Sequence, residues 1–212
     1  MVDMNLMAAL DRPPFSTKQC VVIPTDMDPM CSAAGEKHLI FLNVKGDYWC
    51  QWVYQFAHEY CHHIIDGALS GKWSDLLWFE EMICELSSMY NLHEMVSFCQ
   101  RSGLSGYAPA VQAYLDNLLC KNRGMYPLNA EGGWYKGLAA SLKEQGYNRA
   151  LYNSIAALVF PLFVQNPFLW KIILHIGDIR SWSSLEELFS HFKEKADDSY
   201  RDSLCRFVGV FE

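Results

Sequence analysis

His58-Glu59-Tyr60-Cys61-His62 is followed, after eighteen intervening residues, by Glu81. On a helix the two imidazoles stand at i and i+4, one turn apart on the same face, where both can reach one Zn²⁺. Glu81 is the natural third ligand if the next helix folds back against the first. That need for convergence constrains the fold more than any other feature of the chain. Glu59, between the histidines, points beside the ion, where it can take a proton from a water activated there. Glu85 lies one turn beyond Glu81, so it shares that helix face and can accept a hydrogen bond from a ligating imidazole.

The rest of the chain has to supply a core around this pair of helices. At 212 residues, with 51% hydrophobic and 19% charged side chains, it can build one sizeable core or two small lobes that share one. The net charge of −7, with no basic cluster against it, argues against nucleic acid as a partner. The apolar stretch at 155–176 is broken by Pro161, Gln165, Asn166, Pro167 and Lys171, so two buried helices are expected there and no membrane span. The first fifteen residues carry neither a basic start nor a long apolar run, and no signal peptide is expected. Eight cysteines are scattered without a C-x-x-C pair, which predicts reduced thiols and a cytoplasmic setting.

Residues 1–19, with Pro13-Pro14, read as a loose lead-in. Apolar runs at 20–23 and 38–44, separated by a turn-rich stretch at 24–35, predict two strands of a small sheet resting on the motif helix. From Tyr48 onward the pattern turns helical. Trp49, Trp52, Val53, Phe56, Ala57, Tyr60 and Ile64 mark a helix over 49–66, stopped by Asp66-Gly67. A second is expected over 74–92, with Ser74 and Asp75 as caps. Later helices are expected at 108–121, 133–145, 148–160, 167–176, 184–195 and 199–207, with a linker at 124–133. The predicted fold is α+β and mostly helical. A zinc-binding α+β lobe (1–105) meets a helical lobe (106–212) across a cleft.

His58 to Ser87 resembles the gluzincin aminopeptidases, the alanyl/leucyl aminopeptidase and leukotriene-hydrolase group, whose signature is HExxH-x18-E. Lys72-Trp73 and Leu77-Trp78-Phe79-Glu80-Glu81 are similar to that family's K-W-W-x-D-L-W-L-N-E, with Glu80 in place of Asn. Glu81 and Glu85 also resemble the ligand and supporting acid of thermolysin-like gluzincins. Asn43-Val44-Lys45-Gly46 stands where the aminopeptidases carry the G-x-M-E-N segment that anchors a peptide amino terminus. Trp134-Tyr135-Lys136-Gly137 resembles the family's Y-x-K-G helix start, although Trp134 holds the family's Tyr position. The resemblance implies a zincin-like fold, Zn²⁺ as cofactor and an oxyanion-stabilising tyrosine. Tyr135 is the first candidate for that tyrosine, with Tyr126, Tyr147 and Tyr152 as competitors.

The expected activity is therefore zinc-dependent peptide hydrolysis on a peptide or protein substrate, with His58, His62 and Glu81 as ligands and Glu59 as general base. One alternative is a narrow regulatory protease of the ImmA/IrrE type, which the Glu80-Glu81 pair resembles. Another is a non-catalytic module that keeps zinc as a structural staple. Glu80 reads as a capping or solvated acid. His63 points about 100° from its neighbouring ligand and reads as structural, as do His38, His93, His175 and His191. Trp73 and Trp78 read as packing beneath the metal helices.

Overall fold

The computed structural model describes residues 1–10, 18–65, 74–126, 128, 133–144 and 148–212. The expected features at Pro13-Pro14, Asp66-Gly67, Lys72-Trp73 and Tyr147 lie outside these, as does much of the 124–133 linker.

The chain opens with helix α1 (Val2–Leu10), not a loose lead-in. Nine residues are too few for a stable isolated helix, so packing holds it. Leu6 and Leu10 are fully buried, Asn5 donates to Asn91 Oδ1 at 3.1 Å, and Asp3 accepts from the Tyr60 hydroxyl at 2.5 Å. Three strands follow: β1 (Gln19–Pro24), β2 (Met30–Ala34) and β3 (Lys37–Leu42). Their order is β1-β3-β2, with β1 parallel and β2 antiparallel to β3. β2 falls in the stretch expected to be turn alone. Its sequence, MCSAA, carries little strand propensity, and its strand character comes from pairing with β3. Gly35, at φ +60°, makes the tight turn between them.

β3 alternates as a half-buried strand should, turning His38, Ile40 and Leu42 inward. The chain then enters α2 (Trp49–Ile65). A two-bond clamp sets the entry: the Asn43 N–H donates to Gln55 Oε1 at 2.9 Å, and Gln55 Nε2 donates to the Asn43 carbonyl at 3.1 Å. The clamp falls on the segment where the aminopeptidases carry their anchoring motif.

α3 (Leu77–Arg101) runs well past the expected end at residue 92 and is the axis of the molecule. Residues 82–92 are all buried, so this part of the helix has no solvent face. It packs on α2, on α4 (Ala108–Met125) and on α6 (Arg149–Gln165). Ala57, Cys61, Cys84, Ser87 and Ser88 are all buried along the α2–α3 pair. Ser87 Oγ donates to the Ala57 carbonyl at 3.0 Å and Ser88 Oγ to the Tyr54 carbonyl at 2.7 Å.

The other helices are α5 (Tyr135–Glu144), α7 (Ile173–Ile176), α8 (Leu185–Lys195) and α9 (Arg201–Gly209). One continuous apolar core extends from Val2 to Phe211, with Phe79, Phe192 and Phe207 packed at the centre of an aromatic cluster. Among the described residues no single helix is long and apolar enough to cross a membrane. The most apolar pair, α6 with 167–176, is bent by 118° and packs in the core. The architecture is a zincin-like α+β fold: a small mixed sheet, the histidine-bearing helix, then a largely helical remainder.

Candidate metal centre

α2 and α3 bring together the three ligands expected from the sequence. One donor atom each from His58, His62 and Glu81 lies within 4.8 Å of the others. His58 Nε2 is 3.3 Å from Glu81 Oε2, and His62 Nε2 is 3.7 Å from Glu81 Oε1. Zinc bonds of roughly 2.0–2.1 Å in a tetrahedron place neighbouring ligand atoms about 3.3 Å apart. The residues therefore fit Zn²⁺ in separation and in donor chemistry, two imidazoles and a carboxylate.

Each histidine also faces a carboxylate on its other ring nitrogen. Glu85, with no exposed surface, has its Oε2 3.8 Å from His58 Nδ1, on the expected side of the ring but beyond hydrogen-bond distance. Glu80 was expected to be a capping or solvated acid, but it is buried and its Oε1 lies 2.8 Å from His62 Nδ1. A carboxylate accepts only, so Glu80 holds the Nδ1 of His62 as the donor and leaves its Nε2 lone pair for the metal. The signal for Glu80 was its position beside the ligand. What concealed its role was that nothing in the local pattern showed the acid turned inward.

Charge is unevenly settled among these groups. Burial opposes charging His62, but the Glu80 hydrogen bond and the charges of Glu81, Glu80 and Glu59 outweigh it and push the imidazole up to about 10. Burial alone would raise Glu81, yet the His58 hydrogen bond and the nearby His62, His58 and Arg149 charges bring it down to about 2. Glu59 is 6% exposed, and its burial raises it above the ordinary carboxylate range against the pull of His58 and His62. The Cys31 backbone N–H, on edge strand β2, donates to the Glu59 carboxylate. Glu59 thus sits under the sheet edge, beside the triad.

Tyr135 is the first residue of α5. Its ring packs on Trp78 at 5.9 Å and on Phe211 at 6.3 Å, in a pocket with Lys136, Glu186 and Lys193. Tyr152 of α6, one of the competitors, is buried and has Glu81, Arg149, Glu85 and Cys84 as electrostatic neighbours. Arg149 had no place in the sequence reading, because nothing local marks an arginine that tertiary packing will set beside two glutamates. Trp78 is buried against Phe79 and Tyr135 as expected. His63 and His38 are buried together, their Nδ1 atoms 2.9 Å apart, a pairing across α2 and β3 that leaves both outside the triad.

The His58-Glu59-x-x-His62…Glu81 cluster matches the gluzincin HExxH-x18-E motif in sequence and in space, as a minimal zincin catalytic core would. No protein-family model, characterised protein or solved structure matches the chain as a whole.

Proposed function

We propose that this protein is a zinc-dependent peptidase. The observation that carries the reading is the convergence of His58, His62 and Glu81 with a buried Glu59 alongside. His58, His62 and Glu81 would hold the zinc, which when bound would supply Lewis acidity to a scissile carbonyl and to a water, whose pKa would fall to about 7. Glu59 takes the proton of the attacking water and hands it to the leaving amine. Its burial suits both halves of that task, because a raised pKa makes the carboxylate a better base and its conjugate acid easier to hold. Glu80 and Glu85 keep the imidazoles oriented through the cycle. Among the tyrosine candidates for donating to the developing oxyanion, the Glu81 charge felt by Tyr152 supports Tyr152 over Tyr135.

The test is Glu59→Gln. The expected protein binds zinc like the wild type and has no hydrolytic activity; retained turnover would remove Glu59 from the role of base.

A narrower form of the same activity is favoured by burial: Glu59 is 6% and His58 8% exposed, beneath the edge of β2. Such a site suits a regulatory protease that cuts one partner better than a general scavenger of peptides. Digestion of a diverse peptide library distinguishes the two, many cleaved sequences pointing to the broad enzyme. The eight cysteines are free thiols, which supports a reducing, cytoplasmic setting for either.

A further inference from the structure

Behind the triad, a line of polar groups runs from His58 into the helical part of the molecule. Glu85 is its first member, and a carboxylate removed from water needs protein donors for its lone pairs. Two are in place. Tyr54, one turn before His58 on α2, donates its hydroxyl to Glu85 Oε2 at 2.5 Å. Asn122 of α4 donates Nδ2 to Glu85 Oε1 at 3.4 Å and is itself held by Ser154 Oγ, which donates to its carbonyl at 2.6 Å. Arg149, the first residue of α6, is a hydrogen-bonding neighbour of the Tyr54 hydroxyl and a cationic neighbour of Glu85.

The direction of each link is set by what the groups can do. A guanidinium only donates, so the Tyr54 oxygen accepts from Arg149 and its hydrogen is left for Glu85. A carboxylate only accepts, so the group of His58 that suits Glu85 is an Nδ1–H. A zinc ion on Nε2, the atom turned toward Glu81, would leave the His58 proton on Nδ1, which faces Glu85 Oε2 at 3.8 Å. The geometry points to Tyr54 and Arg149 as positioning residues, forming with Glu85 a relay that fixes the tautomer and ring orientation of His58 for zinc. The relay joins α2, α3 and α6, so the helical half of the molecule takes part in metal binding without contributing a ligand. This inference rests on reading His58, His62 and Glu81 as the metal site.

A pair that merely staples helices together would support the fold and leave zinc affinity alone. The experiment therefore measures the zinc dissociation constant of the full chain by chelator competition, with ¹⁵N spectra of the His58 ring in the zinc-loaded protein. Tyr54→Phe and Arg149→Gln are each expected to weaken zinc binding by about 10-fold or more and to shift the His58 Nδ1 resonance. Arg149→Lys, which keeps the charge, restores most of the affinity. Arg149 is exposed, so its variants decide the matter if Tyr54→Phe does not fold. A wild-type chain that binds zinc, beside folded variants that bind it equally well, overturns the relay alone. A wild-type chain that takes up no zinc overturns the metal site and the relay together.

Discussion

His62 and Glu80, 2.8 Å apart, determine how the metal-free protein meets an ion. With its pKa lifted to about 10, His62 carries a proton at neutral pH that zinc has to displace. Zinc binding at pH 8 is therefore expected to release about one proton from this residue, read by calorimetry in buffers of different ionisation enthalpy. A heat that does not change with buffer contradicts the pairing. The signs for stability follow from the same shifts. His62 is raised, so its contribution to the metal-free fold is full below its ordinary 6.5 and is lost as pH rises through about 10. Glu81 is lowered, so its contribution is full above 4.5 and is lost as pH falls through about 2. Melting temperatures of the metal-free protein should accordingly form a plateau between those two ordinary values. Tyr152→Phe should lower kcat by roughly 10²–10³, whereas Tyr135→Phe should leave it close to wild type. The reverse pattern would return the oxyanion role to Tyr135.

At the scale of the element, α2 was legible because seven apolar residues recur at helical spacing and the two histidines fall one turn apart. β2 was not, since Ala and Ser are poor strand formers and only the β3 edge makes a strand of them. Yet β2 supplies the Cys31 N–H that holds Glu59, so an element with little local signal reaches the chemistry. Its turn depends on Gly35, whose φ of +60° disfavours a Cβ. Gly35→Ala should cost roughly 1–2 kcal/mol, measured as a shift in the urea midpoint. Zinc affinity should stay unchanged, because the ligands stand on α2 and α3. A loss of zinc binding in a folded Gly35→Ala protein would show that the sheet edge also shapes the ligand set.

Across the whole molecule, the apolar core spans α1 to α9 and does not depend on the triad for its continuity. Removing zinc with a chelator is expected to lower the melting temperature by mass action while the transition stays cooperative and the helical signal persists. Complete unfolding on chelation would favour the structural-staple alternative. What the sequence by itself determined is the donor chemistry: two imidazoles one helical turn apart, a carboxylate after eighteen intervening residues, and a glutamate between the histidines. Those follow from helix geometry, which is local and regular. Only the tertiary structure decided what surrounds them. That Glu80 turns inward to His62 and that Tyr54 and Arg149 stand behind Glu85 depend on how α3 packs against α2, α4 and α6. Such contacts join residues distant in the chain, and no period or propensity within a segment encodes which of them will meet.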